Sequence, residues 1–156
     1  MPTRNILIVG GYGAVGQVIA RTLANKFPNR VIVGGRRYEK AKALAQASGG
    51  KIRPLQLDLA TAHQNPDLFD DVAVVVMCLD VPDMRFIQPC FQRGIHYIDI
   101  TADDRILQQI ESLEEAAKTG GSTAILSVGL SPGLTNLLVR YAQTQLETVY
   151  HADIHL

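Results

Sequence analysis

Residues 5–16 read NILIVGGYGAVG and are the most informative part of this 156-residue chain. The apolar run 6–9 is typical of a parallel strand that is buried on both faces. After the glycines, apolar side chains recur every fourth residue and predict an amphipathic helix: Val15, Ile19, Leu23 and Phe27. Between this strand and this helix, Gly11, Gly13 and Gly16 have the spacing G-x-G-x-x-G, and that context makes the spacing informative.

Each glycine of this turn has a physical role in binding a dinucleotide. Gly11 permits the tight turn, Gly13 leaves room for a pyrophosphate to approach the backbone, and Gly16 lets the helix pack close to the strand. Free amides and the positive end of the helix dipole then hold the anion. We therefore predict a cofactor-binding turn made of Gly11, Tyr12, Gly13, Ala14, Val15 and Gly16, with Tyr12 as a surface residue whose side chain has no role in the motif. A glycine-rich turn that binds nothing is the alternative.

The end of the second predicted strand indicates which dinucleotide is bound. NAD-binding proteins place a carboxylate there for the ribose 2′-hydroxyl, but this chain has Gly34-Gly35-Arg36-Arg37 and no acidic residue before Glu39. A guanidinium can grip a 2′-phosphate with paired hydrogen bonds. We predict NADP(H) rather than NAD, with Arg36 as the first contact and Arg37 stacking on the adenine or adding charge. Two solvated surface arginines are the alternative.

Strand and helix patterns alternate along the rest of the chain. Apolar runs predict strands at 30–33, 51–57, 71–77, 96–100 and 122–127, and helical patterns lie at 38–48, 85–93, 105–118 and 134–146. Pro54 suggests that the third strand lies near the sheet edge. Short links between alternating elements require crossover connections. The predicted fold class is α/β, a doubly wound parallel sheet of order 3-2-1-4-5-6 in a single three-layer domain.

Ligands of such folds lie outside the carboxyl ends of the strands, which selects further candidate residues. Asp58 and Leu59 follow the third strand and are expected near the adenine, although Asp58 is about as compatible with a helix N-cap or a turn. Cys78 and Leu79 follow the fourth strand and are expected near the second ribose and the nicotinamide. Cys78 is interpreted as a small packed side chain, because no basic neighbour is evident to lower its pKa.

The composition argues against several other classes of protein. Fifteen basic and fifteen acidic side chains give a formal net charge of zero, so no global field recruits nucleic acid or an anionic membrane. The apolar run 6–9 is too short for a signal peptide or a spanning helix. Two cysteines cannot form a disulfide scaffold, and the reducing cytoplasm is the expected compartment.

Three stretches together resemble the N-terminal cofactor-binding domain of the saccharopine dehydrogenase-like oxidoreductases: IVGGYGAVG at 8–16, GIHYIDIT at 94–101 and GLSPGLTN at 129–136. The resemblance implies an oxidoreductase that makes or breaks a CH–NH bond of an amino-acid-type substrate through an imine, with hydride exchange at a nicotinamide. It also implies a second domain that carries most of the substrate site and helps dimerisation. No general acid is evident in this chain, so the catalytic residues are unknown and catalysis by the chain alone is not expected. A non-catalytic module that senses NADPH or binds a partner is the alternative.

Two further segments face the predicted cleft. Ser131 is predicted to cap a helix whose first residue is Pro132, and the amides there could hold the nicotinamide carboxamide or a substrate carboxylate, or simply cap the helix. Thr101 and Asp103 follow the fifth strand and are candidate substrate contacts, or merely start the next helix.

The C-terminal segment is predicted to lie outside the dinucleotide-binding domain. Residues 1–147 are predicted to form the dinucleotide-binding domain, and residues 148–156 a terminal strand that begins a missing or truncated substrate or dimerisation domain. Because one face of that strand is apolar, a homodimer that pairs through it is expected. His151, Asp153 and His155 would share the other face, which we interpret as polar surface rather than a zinc site, because no fourth ligand is visible.

Overall fold

Strands and helices alternate along the chain in the computed structural model, which describes residues 4–155. The six strands are β1 (Asn5–Val9), β2 (Val31–Gly35), β3 (Ile52–Gln56), β4 (Val72–Met77), β5 (His96–Asp99) and β6 (Ala124–Ile125). The helices are α1 (Ala14–Lys26), α2 (Tyr38–Ala47), α3 (Leu59–Ala62), α4 (Ile87–Gln92), α5 (Asp104–Glu111), α6 (Glu114–Gly120) and α7 (Leu134–Gln145), and a 3-10 turn covers Pro66–Phe69.

All six strands lie in one parallel sheet of order β3-β2-β1-β4-β5-β6, which confirms the predicted topology. β1 lies between β2 and β4, with Ile8 opposite Val33 on one side and Val76 on the other. β3 is an edge strand, as Pro54 suggested. The carboxyl ends of the strands therefore lie along one edge of the sheet, and the turn that follows β1 is central to that edge.

Two apolar cores pack on the opposite faces of the sheet and make the fold three-layered. On one face, Ile8 and Val33 contact the small side chains of α1 and α2, among them Ala20, Ala24 and Ala41. On the other face, Leu7 and Val75 pack with residues of α4 and α5, among them Ile87, Phe91 and Ile110. Alternate residues of β1 thus enter different cores, which is why the strand is apolar without interruption.

Most predicted elements differ from the structure by one or two residues at their ends, and two of them differ in a larger part of their length. The helix expected over 105–118 is divided into α5 and α6 at Ser112, whose hydroxyl donates to the carbonyl of Gln109 at 2.7 Å. A serine hydroxyl that bonds the local backbone in this way competes with helix continuation. β6 keeps only two of its six expected residues, Ala124 and Ile125, which pair with Tyr97 and Ile98 of β5. The α3 helix and the 3-10 turn were not predicted.

The terminal strand expected over 148–156 is wrong for the described part of that segment. Residues 148–155 have no regular secondary structure, and Leu156 lies outside the described residues. A strand needs a neighbouring strand to bond its amides and carbonyls, and within residues 4–155 the sheet ends at β6. The domain boundary near 147 stays a prediction. No helix within residues 4–155 combines the length and apolar content required to span a bilayer.

Candidate dinucleotide-binding site

The glycine turn between β1 and α1 offers three backbone donors to an anion. In the described part of the chain, the amides of Ala14, Val15 and Gly16 donate to no acceptor, whereas that of Gln17 bonds the carbonyl of Gly13 at 3.0 Å. Gly13 is the N-cap of α1 and makes no side-chain cap, and the first turn carries no acidic residue. The start of this 13-residue helix therefore presents free amides and the positive end of its dipole to the sheet edge.

The space around the glycines fits the approach of a pyrophosphate. A Cβ at Gly16 would overlap the carbonyl of Gly10, so only glycine allows this crossing of turn and helix. A Cβ at Gly11 would lie 2.9 Å from both methyl carbons of Val33, and one at Gly13 would have a single near neighbour, the Gly10 carbonyl at 3.2 Å. Gly13 is therefore open toward solvent, where a ligand would come closest to the backbone.

Arg36 and Arg37 follow β2 directly and lie beside this turn. Both are exposed, and within residues 4–155 neither guanidinium forms an ion pair. Arg37 is also the N-cap residue of α2 and provides no side-chain cap. Two free cations thus stand at the end of β2, where a 2′-phosphate would be recognised.

Tyr12 is not the loop-surface residue without a role that the sequence suggested. Its ring lies against Gly35, since a Cβ there would come 2.5 Å from Cε1 and Oη of Tyr12. Its hydroxyl oxygen accepts the amide of Arg37 at 3.1 Å. The side chain therefore joins the glycine turn to the start of α2, a contact between residues 25 positions apart that local sequence does not reveal.

The residues after β3 mainly stabilise the fold. The carboxylate of Asp58 accepts the amide of Ala60 at 3.1 Å and caps α3, which is one of the two roles its sequence position allowed. Leu59 is half-buried and packs against the core that contains Leu7 and Val75. Leu57, just before them, packs under Gly34, so the segment lies next to the end of β2.

Cys78 and Leu79, after β4, lie next to the glycine turn. Leu79 is exposed and covers Gly10, where a Cβ would come 2.6 Å from the leucine Cγ. The amide of Cys78 bonds the carbonyl of Val9 at 3.0 Å. Burial, followed by the nearby Asp99 carboxylate, raises the pKa of the Cys78 thiol to about 11, so at neutral pH the side chain is an uncharged, unreactive thiol.

Thr101 and Asp103 were named from the sequence, but the buried polar pair Tyr97 and Asp99 at the end of β5 was missed. Asp99 is 1% exposed and accepts the Tyr97 hydroxyl at 2.6 Å and the amide of Thr101 at 2.5 Å. Burial raises the pKa of Tyr97, and Asp99 raises it further. Thr101 is buried and its hydroxyl accepts the amide of Asp103, which in turn caps α5 through the amide of Arg105 at 2.9 Å. The alternation of Tyr97, Asp99 and Thr101 on one side of the strand was the available signal.

The helix start predicted at Ser131 and Pro132 is wrong. α7 begins at Leu134 with Gly133 as its N-cap, and Asn136 Oδ1 accepts the Gly133 amide at 3.0 Å. Ser131 and Pro132 are joined by a cis peptide bond and lie in a closed turn. The amide of Gly129 donates to the carbonyl of Pro132 at 3.0 Å, and Gly133, at φ 132°, approaches Gly129 so closely that any side chain there would overlap it.

Most of the predicted residues lie in one continuous region at the carboxyl ends of the strands. The amide of Gly10 bonds the carbonyl of Gly34 at 2.8 Å, which links the turns after β1 and β2. The amide of Val128 bonds the carbonyl of Asp99 at 2.9 Å, which links β5 to the segment before the Ser131 turn. A cavity of about 540 Å³ lies away from this region, against α5, α6 and β6.

The C-terminal histidines do not assemble a metal site in the described chain. His151 Nε2 lies 2.8 Å from Asp153 Oδ1, and both side chains are largely exposed. Within residues 4–155, no cluster of three histidine, cysteine or acidic side chains has the geometry to hold a metal ion.

Two solved structures share this fold with the chain. An apo histidine-tagged saccharopine dehydrogenase (L-Glu forming) from Saccharomyces cerevisiae superposes with a TM-score of 0.68 at 19% identity, covering 91% of this chain and 31% of that one. A structure described as AtPrR2 with NADP+ and (+)pinoresinol superposes with a TM-score of 0.55 at 13% identity, covering 80% of this chain and 49% of that one. The chain thus spans less than half the length of either protein.

A family model settles which group of dinucleotide-binding folds this is. No curated protein sequence matches the chain, but the model described as the saccharopine dehydrogenase NADP binding domain matches residues 6–125, from β1 to β6. The match includes the glycine turn, the arginine pair and the buried cluster after β5, and it confirms both the predicted resemblance and the predicted cofactor, NADP(H). The chain therefore belongs to the saccharopine dehydrogenase NADP binding domain family.

Proposed function

We propose that this chain is the cofactor-binding part of an oxidoreductase that acts on a CH–NH bond of an amino-acid-type substrate. The observation that carries the proposal is the start of α1, whose first three amides have no acceptor within residues 4–155. The turn before it is joined through Tyr12 to Arg37, and in the same residues neither Arg36 nor Arg37 forms an ion pair. The amides of Ala14, Val15 and Gly16 would hold the pyrophosphate. When bound, the nicotinamide supplies the hydride chemistry, and the chain's own task is to hold and orient it.

Arg36 and Arg37 would select the phosphorylated dinucleotide. Both guanidinium groups follow β2 without an acidic partner, and the nearest carboxylate along the chain, Glu39, lies 3.9 Å from Lys42. A 2′-phosphate would therefore meet two cations at the end of the strand, and neither of them is engaged by a carboxylate within residues 4–155.

Arg36→Ala tests this assignment by calorimetric titration with NADPH and NADH. Loss of a charge-assisted phosphate contact weakens NADPH binding by about 1.5–3 kcal/mol and leaves NADH binding nearly unchanged. Arg53→Ala, which changes an exposed arginine on β3, is the matched control and should alter neither affinity. Equal affinities of the unaltered chain for NADPH and NADH would refute the role of the arginine pair.

The substrate chemistry would need groups beyond those of the described cleft. Three of its carboxylates are engaged in structure: Asp58 and Asp103 cap helices, and Asp99 is buried between Tyr97 and the amide of Thr101. One exposed carboxylate, Asp80, is left after β4, and no base or acid beside it is evident among the described residues. This favours a chain that does not catalyse alone, whether as one part of a reductase or as a module that senses NADPH. Turnover of an imine or amino-acid substrate by the isolated chain would support a complete enzyme, whereas NADPH binding without turnover supports a cofactor module.

We further propose a homodimer that forms through α7 in the cytoplasm. With the terminal strand absent, the apolar surface available for association is the stripe of Leu134, Leu137, Leu138 and Tyr141, each between 48% and 67% exposed. Both cysteines are free thiols, which agrees with a reducing compartment.

A further inference from the structure

Tyr12 connects the two loops that would hold the phosphates of the cofactor. The backbone of Tyr12 belongs to the glycine turn, while its ring covers Gly35 at the end of β2. Its hydroxyl oxygen lies 3.1 Å from the amide nitrogen of Arg37, which donates to it. The hydroxyl is therefore held beside the two arginines by one contact through the ring and one through the oxygen.

The hydroxyl still has a proton to donate. A phenol both accepts and donates hydrogen bonds, and within the described chain Tyr12 donates to no acceptor. Because the oxygen is fixed by the Arg37 amide, its proton is restricted to the remaining directions around the start of α2. A phosphate oxygen beside Arg36 and Arg37 would be an acceptor of suitable charge.

The surroundings of Tyr12 are basic on the other side as well. A groove of about 310 Å³ between α1 and α2 is lined by Tyr12, Gln17, Arg21 and Lys40, together with two alanines and one leucine of α2. Within residues 4–155, neither Arg21 nor Lys40 forms an ion pair. The acidic residue of this helix turn, Glu39, lies within 3.9 Å of Lys42 instead. The field around the hydroxyl thus favours a dianionic phosphate.

We propose that Tyr12 is a specificity-determining residue for NADP(H), whose hydroxyl donates to the 2′-phosphate while it accepts the amide of Arg37. The inference rests on the proposed function, because it requires the pyrophosphate at the start of α1 and the 2′-phosphate at the arginine pair. It assigns to the second residue of the G-x-G-x-x-G turn a side-chain role in choosing between NADPH and NADH.

Tyr12→Phe tests the proposal, because phenylalanine keeps the ring on Gly35 and removes only the hydroxyl. Calorimetric titration of the variant should give a dissociation constant for NADPH about tenfold higher than that of the unaltered chain, with the value for NADH little changed. Titration with 2′,5′-ADP, which carries the 2′-phosphate without the nicotinamide half, should show the same loss. Tyr150→Phe, the same change at a side chain that is 95% exposed, is the control and should alter nothing.

The remaining outcomes separate this proposal from the one on which it rests. Equal weakening of NADPH and NADH binding in Tyr12→Phe would show a purely structural contact and overturn the inference, as would an unchanged preference for NADPH. In both cases the unaltered chain still prefers NADPH, so the proposed function stands. If the unaltered chain binds NADPH and NADH equally, the proposed selection of NADP(H) by the arginine pair fails, and this inference fails with it.

Discussion

The glycine turn requires glycine at positions 13 and 16 for two different physical reasons. Gly13 has φ −73°, a conformation open to any residue, so its lack of a side chain matters for space rather than for backbone freedom. At Gly16 the reason is packing within the chain, because a Cβ would overlap the carbonyl of Gly10. Gly13 is therefore expected to matter for cofactor binding, and Gly16 for the stability of the fold.

Alanine substitutions at these two positions should have different effects. Gly13→Ala should leave thermal stability within about 0.5 kcal/mol of the unaltered chain, yet weaken NADPH binding by tenfold or more, because its methyl group occupies the approach of the pyrophosphate. Gly16→Ala should lower the stability by about 1–3 kcal/mol, because the backbone must move. Thermal unfolding and calorimetric titration of both variants measure this, and a Gly13→Ala variant that binds NADPH normally would contradict the account.

Other residues of the site depend on contacts that no local pattern encodes. The bond from Arg37 to Tyr12 joins positions 25 apart, and no local pattern indicates that the Tyr12 ring turns toward Gly35 rather than toward solvent. Asp99 was not named as a site residue, because the pattern of the predicted strand does not show that its carboxylate is buried. Its burial follows from the pairing of β5 between β4 and β6, which places Tyr97 and Thr101 around it.

At the scale of elements, prediction succeeded where one residue pattern determined the structure. β1, β2 and β4 are buried in the middle of the sheet, and their apolar runs predicted them within one or two residues. Prediction failed where a side chain acts on its neighbours: Ser112 divides the expected helix, and Gly133 closes a turn that moves the start of α7 past Pro132. It failed again at 148–155, because alternation alone provides no partner strand.

The end of α6 shows how closely two elements can approach when one presents a glycine. Gly120 faces the carbonyl of Phe91 on α4, and a Cβ there would overlap that oxygen. Gly120→Ala should therefore lower the free energy of unfolding by about 1–3 kcal/mol, as overpacking usually does. Thr119→Ala, at the exposed neighbouring position, should change it by no more than about 0.5 kcal/mol in the same denaturant titration. A Gly120→Ala variant as stable as this control would show that the helices adjust freely.

At the scale of the whole molecule, the apolar residues are unevenly placed. The sheet and α1, α2 and α4 enclose two dense cores, whereas α7 buries none of its residues within the described chain. Its leucines and Tyr141 recur at helical spacing, so they form one exposed stripe.

The exposed stripe predicts self-association that depends on concentration. Light scattering should give a mass above that of the 17.0 kDa monomer at high concentration, and Leu138→Glu should return it toward the monomer, because a charge in the stripe resists burial. Gln143→Glu places the same charge at an exposed polar position of α7 and should have little effect. A monomeric mass for the unaltered chain at every concentration would contradict the proposed dimer.

The proposed function depends on the main-chain amides at the start of α1, which would hold the cofactor's pyrophosphate. The most direct measurement is a titration of the ¹⁵N-labelled chain with NADPH, followed by amide proton NMR. We predict that the Ala14, Val15 and Gly16 amides, which donate to no acceptor within residues 4–155, shift strongly downfield as they acquire charged acceptors. Amides of α6, which leads into the opposite, amino-terminal end of the edge strand β6, should stay unchanged. Saturation with NADPH that leaves the amides of Ala14–Gly16 unmoved would contradict the account.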